Sequence, residues 1–226
     1  VKDKPNPHHC PIEVEARRAA SDPSFKHHKW YIEHHLDYVK AIAHSLDPTA
    51  QPDEIEVINH MVWMHDYPKM MGDKDNFELV RDLVAKHKGQ EYADELVGCI
   101  DDMERIKSPD WNGKTTLFGA LMSTADALAH YYGPFFQIFM DENPDVPLEE
   151  LKKRNAAKLE KDKRKLRAGL PGQGRLDSIK FQYKGRKVRV VGNEHITGLI
   201  ERSPGIMGGP LENAPTEDDE DPLFPP

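Results

Sequence analysis

Two adjacent side chains of the kind that binds metal ions, His65 and Asp66, close an apolar run that starts at Met61. A buried charge is costly unless it is paired or coordinates a metal. The doublet is therefore either a helix C-terminal turn that happens to hold two polar residues, or half of a metal site. Similar residues placed inward by other elements would favour the metal site.

Helical periodicity places two more such side chains, His35 and Asp126, on apolar faces. The stripe that contains His35 also holds Tyr31, Val39, Ile42 and Leu46. The face that contains His65 also holds Ile58, Met61 and Val62. The face that contains Asp126 also holds Gly119, Met122, Ala129 and Gly133. An unpaired carboxylate on such a face would cost several kcal/mol, so a partner for Asp126 is expected.

The elements that must position these residues are predicted to be mainly α-helical. Start and stop signals predict helices at 11–20, 24–46, 53–64, 77–88, 91–106, 115–136 and 149–167. A loop is predicted from Tyr67 to Asp75, and the alternating segment 177–192 predicts a β-hairpin with Lys184-Gly185 at its turn. The expected domains are an N-terminal arm (1–23), a helical domain (24–168), a hairpin appendage (169–203) and a disordered acidic, proline-rich tail (204–226).

The last predicted helix, 149–167, is rich in lysine, arginine and glutamate. One interpretation is a solvated surface helix with Glu–Lys pairs. The alternative is a rim that attracts an anionic substrate. The sequence favours the surface helix.

Composition limits the classes of function. The net charge of -8 argues against nucleic-acid binding by the whole surface, and no apolar run approaches the roughly 20 residues of a membrane helix. Cys10 and Cys99 are the only cysteines and form neither a disulfide framework nor a zinc knuckle. No secretory signal is visible, and we expect a cytoplasmic protein.

The order H…HD…D, in the stretches HHLDYVKAIA, VWMHDYPK and STADALAH, resembles the HD-domain superfamily of metal-dependent phosphohydrolases. The resemblance covers roughly residues 24–140. It implies an HD-type helical bundle in which His35, His65, Asp66 and Asp126 hold one divalent transition metal. Such ligands suit Mn, Fe, Co, Ni or Zn, with Mg as a further candidate. The ion would activate water for attack on phosphorus.

The resemblance also suggests residues around the ion. Lys69 matches a lysine often seen after the doublet and is expected to contact phosphate as a catalytic and substrate-binding group. Arg81 and His87 are further candidates for substrate binding. Asp73 and Asp75 could act as general acid or base through water.

Several alternatives stay open at this stage. His34 competes with His35 as the ligand, and Lys69 could simply sit at the negative end of a helix dipole. His130, one turn after Asp126, is interpreted as a partner or packing residue. Asp101 and Asp102 could ligate a second ion. We favour one metal.

The leading functional hypothesis is hydrolysis of a nucleotide, either a nucleoside monophosphate or a (deoxy)nucleoside triphosphate, or of a related phosphate ester. The first alternative is a di-iron HD-type oxygenase, and the second is a non-catalytic nucleotide-binding regulatory module. The expected partner is a small phosphorylated substrate, with no membrane and no strong nucleic-acid signal. A homo-oligomer is a further expectation, in which the hairpin would serve as a subunit contact or a lid.

Overall fold

Helices dominate the part of the chain that the structure describes. The structure, a computed structural model, covers residues 10–25, 34–131, 135–168, 180–183 and 186–189. Its helices are α1 (Pro11–Ala20), α2 (Leu36–Leu46), α3 (Pro52–Met64), α4 (Tyr67–Met70), α5 (Glu78–Lys88), α6 (Gln90–Arg105), α7 (Leu117–Tyr131), α8 (Phe135–Glu142) and α9 (Leu148–Lys163), followed by a 3-10 helix (Arg164–Ala168). The prediction of a mainly α-helical fold is confirmed.

Helix α7 lies at the centre of the core. All of its residues from 119 to 130 are buried. The helix packs against α2, α3, α6, α8, α9 and the 3-10 helix. A helix whose side chains are small or apolar on nearly every side is stable only when other elements surround it. Asp126, in the middle of α7, is therefore carried into the interior.

Helix α3 begins at clear local signals. Pro52 stands at the start of the helix, where a missing N–H is tolerated. The side chain of Glu54 accepts a hydrogen bond of 2.7 Å from the backbone N–H of Gln51, as in a capping box. The helix then runs for 13 residues and delivers His65 and Asp66 at its C-terminal end.

Helix α1 packs against α3. Its inward face consists of Ile12, Ala16, Ala19 and Ala20, all of them buried. The helix coincides with the one predicted at 11–20 inside the N-terminal arm. Residues 1–9 of that arm lie outside the described residues, as do residues 26–33 with Tyr31.

One local prediction is wrong. Tyr67–Met70 forms the short helix α4 where the sequence predicts a loop. The helix predicted over 115–136 corresponds to α7, which is described to Tyr131, and to the start of α8, which runs from Phe135 to Glu142. Residues 132–134 between them lie outside the described residues.

The interpretation of 149–167 as a solvated helix holds only for part of its surface. Near the start of α9, Glu149 pairs with Lys152 at 2.8 Å on the exposed face. Near its end, Asp162 is completely buried, and Lys165 in the following 3-10 helix has a side chain only 12 % exposed. The C-terminal end of this segment is therefore part of the interior.

Two short strands, β1 (Lys180–Tyr183) and β2 (Arg186–Arg189), pair antiparallel. Lys180 lies opposite Arg189, and Tyr183 lies opposite Arg186. The rest of the predicted appendage and the tail at 204–226 lie outside the described residues. The place of the appendage relative to the helices therefore stays a prediction.

Among the described residues, none of the helices has the length and apolar character needed to cross a lipid bilayer.

Candidate metal centre

Three elements bring four ligand-type side chains together in the core. His35 lies in the turn that leads into α2, His65 and Asp66 follow α3, and Asp126 lies in α7. His35, His65 and Asp126 are buried, with 1 %, 6 % and 4 % of their surface exposed. The side chain of Asp66 is 21 % exposed and forms the more accessible edge of the group.

The reactive atoms of these side chains converge on one point. His35 Nε2 lies 3.2 Å from Asp126 Oδ1 and 3.4 Å from Asp66 Oδ2. His65 Nε2 lies 3.4 Å from the same Asp66 oxygen and 3.9 Å from the same Asp126 oxygen. Two imidazole nitrogens thus face two carboxylate oxygens around a common centre.

These separations fit the donor atoms of a single ion. Atoms that bind one ion at about 2.1 Å lie about 3.0 Å apart in octahedral and about 3.4 Å apart in tetrahedral geometry. The distances of 3.2–3.9 Å between the four atoms are close to these values. The buried group of His35, His65 and Asp126 could therefore hold a metal ion, and Asp66 adjoins it.

His65 is oriented like a metal-ligating histidine. Its Nδ1 lies 2.9 Å from the carbonyl oxygen of Val62, to which an Nδ1–H can donate. In the neutral tautomer this bond leaves the lone pair on Nε2, the nitrogen that faces the carboxylates. Among the described residues, that Nε2 has no hydrogen bond of good geometry.

Despite burial, the pKa values of both carboxylates of the group are held well below their usual value by neighbouring cationic and hydrogen-bonding groups. Burial lowers the pKa of His65, but the charges of Asp66 and Asp126 outweigh burial and raise that pKa to about 9. Burial would raise the pKa of Asp66, yet His65, His35 and Lys69 hold it well below its usual value. Both carboxylates are thus ionised, and in the absence of an ion a proton on His65 offsets part of their charge.

A second group of buried charges, which the sequence did not predict, lies against Asp126. Lys165 Nζ lies 2.5 Å from Asp126 Oδ2 and 3.2 Å from Asp162 Oδ1. Lys158 Nζ lies 3.3 Å from the same Asp162 oxygen. Burial opposes the charge of Lys165, but Asp126 and Asp162 raise its pKa well above the usual value.

Spacing offered the only sequence signal for this second group. Lys158 and Lys165 stand four residues before and three residues after Asp162, so all of them share one helical face. The same three-residue spacing recurs in an exposed pair of α9, Glu149 with Lys152. The sequence alone cannot distinguish a buried network from a solvated one in such a segment.

His130 connects the second group to the first. Its Nδ1 lies 3.1 Å from Asp162 Oδ2, and its ring stacks on the ring of His35 with centroids 5.0 Å apart. The ring of Phe135 also packs edge-on against the ring of His130, with centroids 4.8 Å apart. Burial and the charge of Lys158 lower the pKa of His130 to about 4, despite Asp162. The structure thus places His130 as a neutral packing partner of His35, as the sequence predicts.

The surroundings of His34 and His35 show which of these neighbouring histidines faces the other candidate metal ligands. His34 is buried, but its Nδ1 lies 3.4 Å from the hydroxyl of Tyr38. His35, one residue on, faces both Asp66 and Asp126. The structure therefore brings His35 to the site.

The candidate catalytic residues that follow His65 and Asp66 in the sequence differ in burial. Lys69 is half-buried on α4, and its charge lowers the pKa of Asp66, so it lies within electrostatic reach of the site. Asp73 and Asp75 are exposed, and Asp73 accepts a hydrogen bond of 3.0 Å from the side chain of Asn76. No contact of Asp73 or Asp75 joins them to the ligand group within the described part of the chain.

The predicted substrate-binding residues on α5 lie apart from the ligand group. Arg81 bonds to Glu78 and, at 2.7 Å, to Asp94. His87 is exposed in the last turn of α5. Neither has a described contact with the four ligand-type residues, so their roles stay predictions.

The carboxylates considered for a second ion are engaged elsewhere. Asp101 pairs with Arg105 on the surface of α6. Asp102 Oδ2 accepts a hydrogen bond of 3.1 Å from the backbone N–H of Thr116. Within the described residues, the group at His35, His65 and Asp126 is the metal-binding candidate that the geometry supports.

The chain was compared with known protein families, proteins and structures. No family model, no curated protein and no solved structure matches the chain.

Proposed function

We propose that the protein is a metal-dependent phosphohydrolase of the HD type that acts on a nucleotide or a related phosphate ester. The observation that supports this proposal most directly is the convergence of His35, His65, Asp66 and Asp126 from three elements on one buried point. The order of these residues in the chain is the H…HD…D order of that superfamily.

The proposed cofactor is one divalent transition metal held by these four side chains. Two imidazoles and two carboxylates suit Mn, Fe, Co, Ni or Zn. When bound, such an ion would supply an acidified water and would polarise a phosphoryl oxygen. Asp126 lies within α7, His35 directly precedes α2, and His65 and Asp66 directly follow α3. Helices that begin or end at such groups position them better than loops do.

The charges around the site favour an anionic substrate. The charged groups of the two clusters comprise three carboxylates, those of Asp66, Asp126 and Asp162, and the two ammonium groups of Lys158 and Lys165. A divalent ion that takes the place of the His65 proton would leave the buried group with a positive excess. An anion such as a phosphate ester would relieve this excess, because burial strengthens the interaction between charges.

Lys69 is the proposed phosphate ligand from the protein. It is half-buried on α4, directly after the doublet, on the side of Asp66, which is the more exposed ligand. A lysine ammonium there could donate to a phosphoryl oxygen and stabilise the charge that develops on the leaving group. The exposed Asp73 and Asp75 are the proposed sources of general acid or base catalysis through water.

The test is a phosphate-release screen across nucleoside mono- and triphosphates, with Mn, Co, Ni and Mg supplied in turn to metal-free protein. We expect release with at least one transition ion and none after chelation. Asp66→Ala should abolish release, whereas Asp82→Ala, a change of an exposed aspartate on α5, should leave it unchanged. Release that persists in Asp66→Ala would overturn the proposal.

A further inference from the structure

The two oxygens of Asp126 have separate partners. Oδ1 lies 3.2 Å from His35 Nε2 and 3.9 Å from His65 Nε2, on the side of the candidate metal centre. Oδ2 lies 2.5 Å from Lys165 Nζ. A carboxylate held in this way offers one oxygen to an ion and keeps the other on the ammonium group.

Both the backbone and the side chain of Lys165 are held by hydrogen bonds or ion pairs. Its backbone carbonyl accepts a hydrogen bond of 2.8 Å from the hydroxyl of Ser123, one helical turn before Asp126. Its ammonium group is held at 3.2 Å by Asp162 Oδ1, and that carboxylate is completely buried. Movement of the lysine away from Asp126 would leave the buried Oδ2 of that carboxylate without its ammonium partner.

We propose that Lys165 is a positioning residue that holds Asp126 as a one-oxygen ligand and so selects small transition-metal ions over calcium. The inference rests on the proposed metal site. Calcium takes six to eight oxygen ligands and often binds both oxygens of a carboxylate. Manganese and the smaller ions accept one oxygen together with imidazole nitrogens. Preventing Asp126 from turning its second oxygen to the ion penalises calcium most.

The ratio of two affinities separates this role from a simple effect of charge. Replacement of Lys165 by methionine removes one positive charge near the ion, and this change acts on Mn²⁺ and Ca²⁺ alike because both are divalent. The number of carboxylate oxygens open to the ion acts on the two ions differently. The informative quantity is therefore the Mn²⁺/Ca²⁺ affinity ratio and not either affinity alone.

The experiment is isothermal titration of metal-free protein with Mn²⁺ and with Ca²⁺. We expect Lys165→Met to lower the Mn²⁺/Ca²⁺ affinity ratio by about tenfold or more, since partners of metal ligands typically change affinity by 10- to 100-fold. Lys165→Arg, which keeps a cation, should retain more of the wild-type ratio. The matched control is Lys163→Met, because Lys163 pairs with Glu160 and has no described contact with Asp126. If Lys165→Met alone does not fold, the double variant with Asp162→Asn removes both buried charges and serves for the same measurement.

The outcomes separate the two proposals. A wild-type ratio in folded Lys165→Met overturns the role of Lys165 and leaves the metal site standing. Wild-type protein that binds neither ion, nor Co²⁺ or Ni²⁺ in parallel titrations, overturns the metal site and the role of Lys165 with it. A ratio lowered as much in Lys163→Met would show that the change does not depend on the contact between Lys165 and Asp126, and would also overturn the inference.

Discussion

At the scale of single residues, two adjacent histidines have different surroundings. His35 Nε2 lies 3.2 Å from Asp126 and 3.4 Å from Asp66, whereas His34 Nδ1 lies 3.4 Å from the hydroxyl of Tyr38. Both side chains are buried. Burial alone therefore does not identify the ligand, and the direction of the ring does.

The first prediction compares these neighbours. His35→Gln should weaken Mn²⁺ binding by about 100-fold or more, because loss of a ligand costs at least as much as loss of a ligand's partner. His34→Gln should leave the affinity within about threefold of wild type, since its described hydrogen bond is with Tyr38 and not with the carboxylates. Isothermal titration of both variants checks this, with circular dichroism to show that each is folded. Equal losses in the two variants would contradict the assignment of His35.

A second prediction concerns Lys69. Lys69→Met should raise KM for the best substrate by about tenfold or more, since a charge-assisted hydrogen bond contributes about 1.5–3 kcal/mol. Mn²⁺ affinity should not fall, because Lys69 is a cation next to Asp66 and contributes no ligand atom. Steady-state kinetics and titration together provide the test.

The control for Lys69 is an exposed lysine of the next loop. Lys74 is exposed in the turn between α4 and α5, and Lys74→Met should change neither KM nor metal affinity. A KM for Lys69→Met that equals the value for Lys74→Met would remove Lys69 from the substrate site.

The sequence predicted the ligand group because each of its members interrupts a recognisable pattern. In the sequence, His35, His65 and Asp126 stand on the apolar stripes of predicted helices, where a polar residue is conspicuous. Asp162 and Lys165 stand in a run of charged residues, where a buried charge looks like its exposed neighbours. Helical periodicity therefore identifies a polar residue that stands on an apolar face. It does not identify a buried charged residue that stands among exposed charged residues.

At the scale of elements, the end of α9 is attached to the core by charge. Asp162 is completely buried and faces Lys158, Lys165 and His130. The hydroxyl of Tyr131 adds a hydrogen bond of 2.6 Å to the carbonyl of Leu159. Few apolar residues of α9 are buried, so these polar contacts take much of the role that apolar packing has in the other helices.

Removal of one charged side chain from this buried group should therefore destabilise the protein. Asp162→Ala should lower the free energy of unfolding by about 3–5 kcal/mol, the usual result when a buried ion pair loses one partner. Glu160→Ala is the matched control, since Glu160 lies two residues away, is only half-buried and pairs with Lys163. That change should cost less than about 1 kcal/mol. Urea denaturation of the two variants measures the difference, and similar midpoints would contradict the proposed attachment.

The boundaries of the helices were predicted well where the sequence carries a clear local pattern and poorly where packing decides. Helix α3 was predicted to within one residue from its amphipathic pattern, and the structure adds Pro52 and the Gln51–Glu54 capping box as local signals at its start. The short helix α4 was missed, since Gly72 and the charged residues after it favour a loop. Packing of Tyr67, Pro68 and Met70 into the core compensates for that weak local preference.

At the scale of the whole molecule, another buried histidine links three elements outside the candidate metal centre. His60, on α3, lies 3.1 Å from Cys10 Sγ before α1 and 2.7 Å from the Tyr92 hydroxyl on α6. Burial lowers the pKa of His60, while Glu56 opposes this effect and Lys88 adds to it. The folded protein thus keeps His60 neutral at pH values where the unfolded chain would protonate it.

The pH dependence of stability follows from this difference. Below the unfolded pKa of 6.5, the unfolded chain binds a proton that the folded protein does not. Stability is therefore fully present above that pH and is lost as the pH falls, by up to about 1.4 kcal/mol per pH unit until the folded group also titrates. His60→Gln removes this titration, so between pH 7.5 and 5.0 its free energy of unfolding should fall less steeply than that of the wild type.

Urea denaturation at both pH values, with chelator present to keep metal out, measures the two slopes. His87→Gln is the control, because His87 is exposed on α5 and its replacement should leave the wild-type slope unchanged. Equal slopes in wild type and His60→Gln would mean that the junction of α1, α3 and α6 admits a proton without opening. A flatter slope in His60→Gln alone would place acid sensitivity at this junction, which ties the N-terminal helix to the body of the protein.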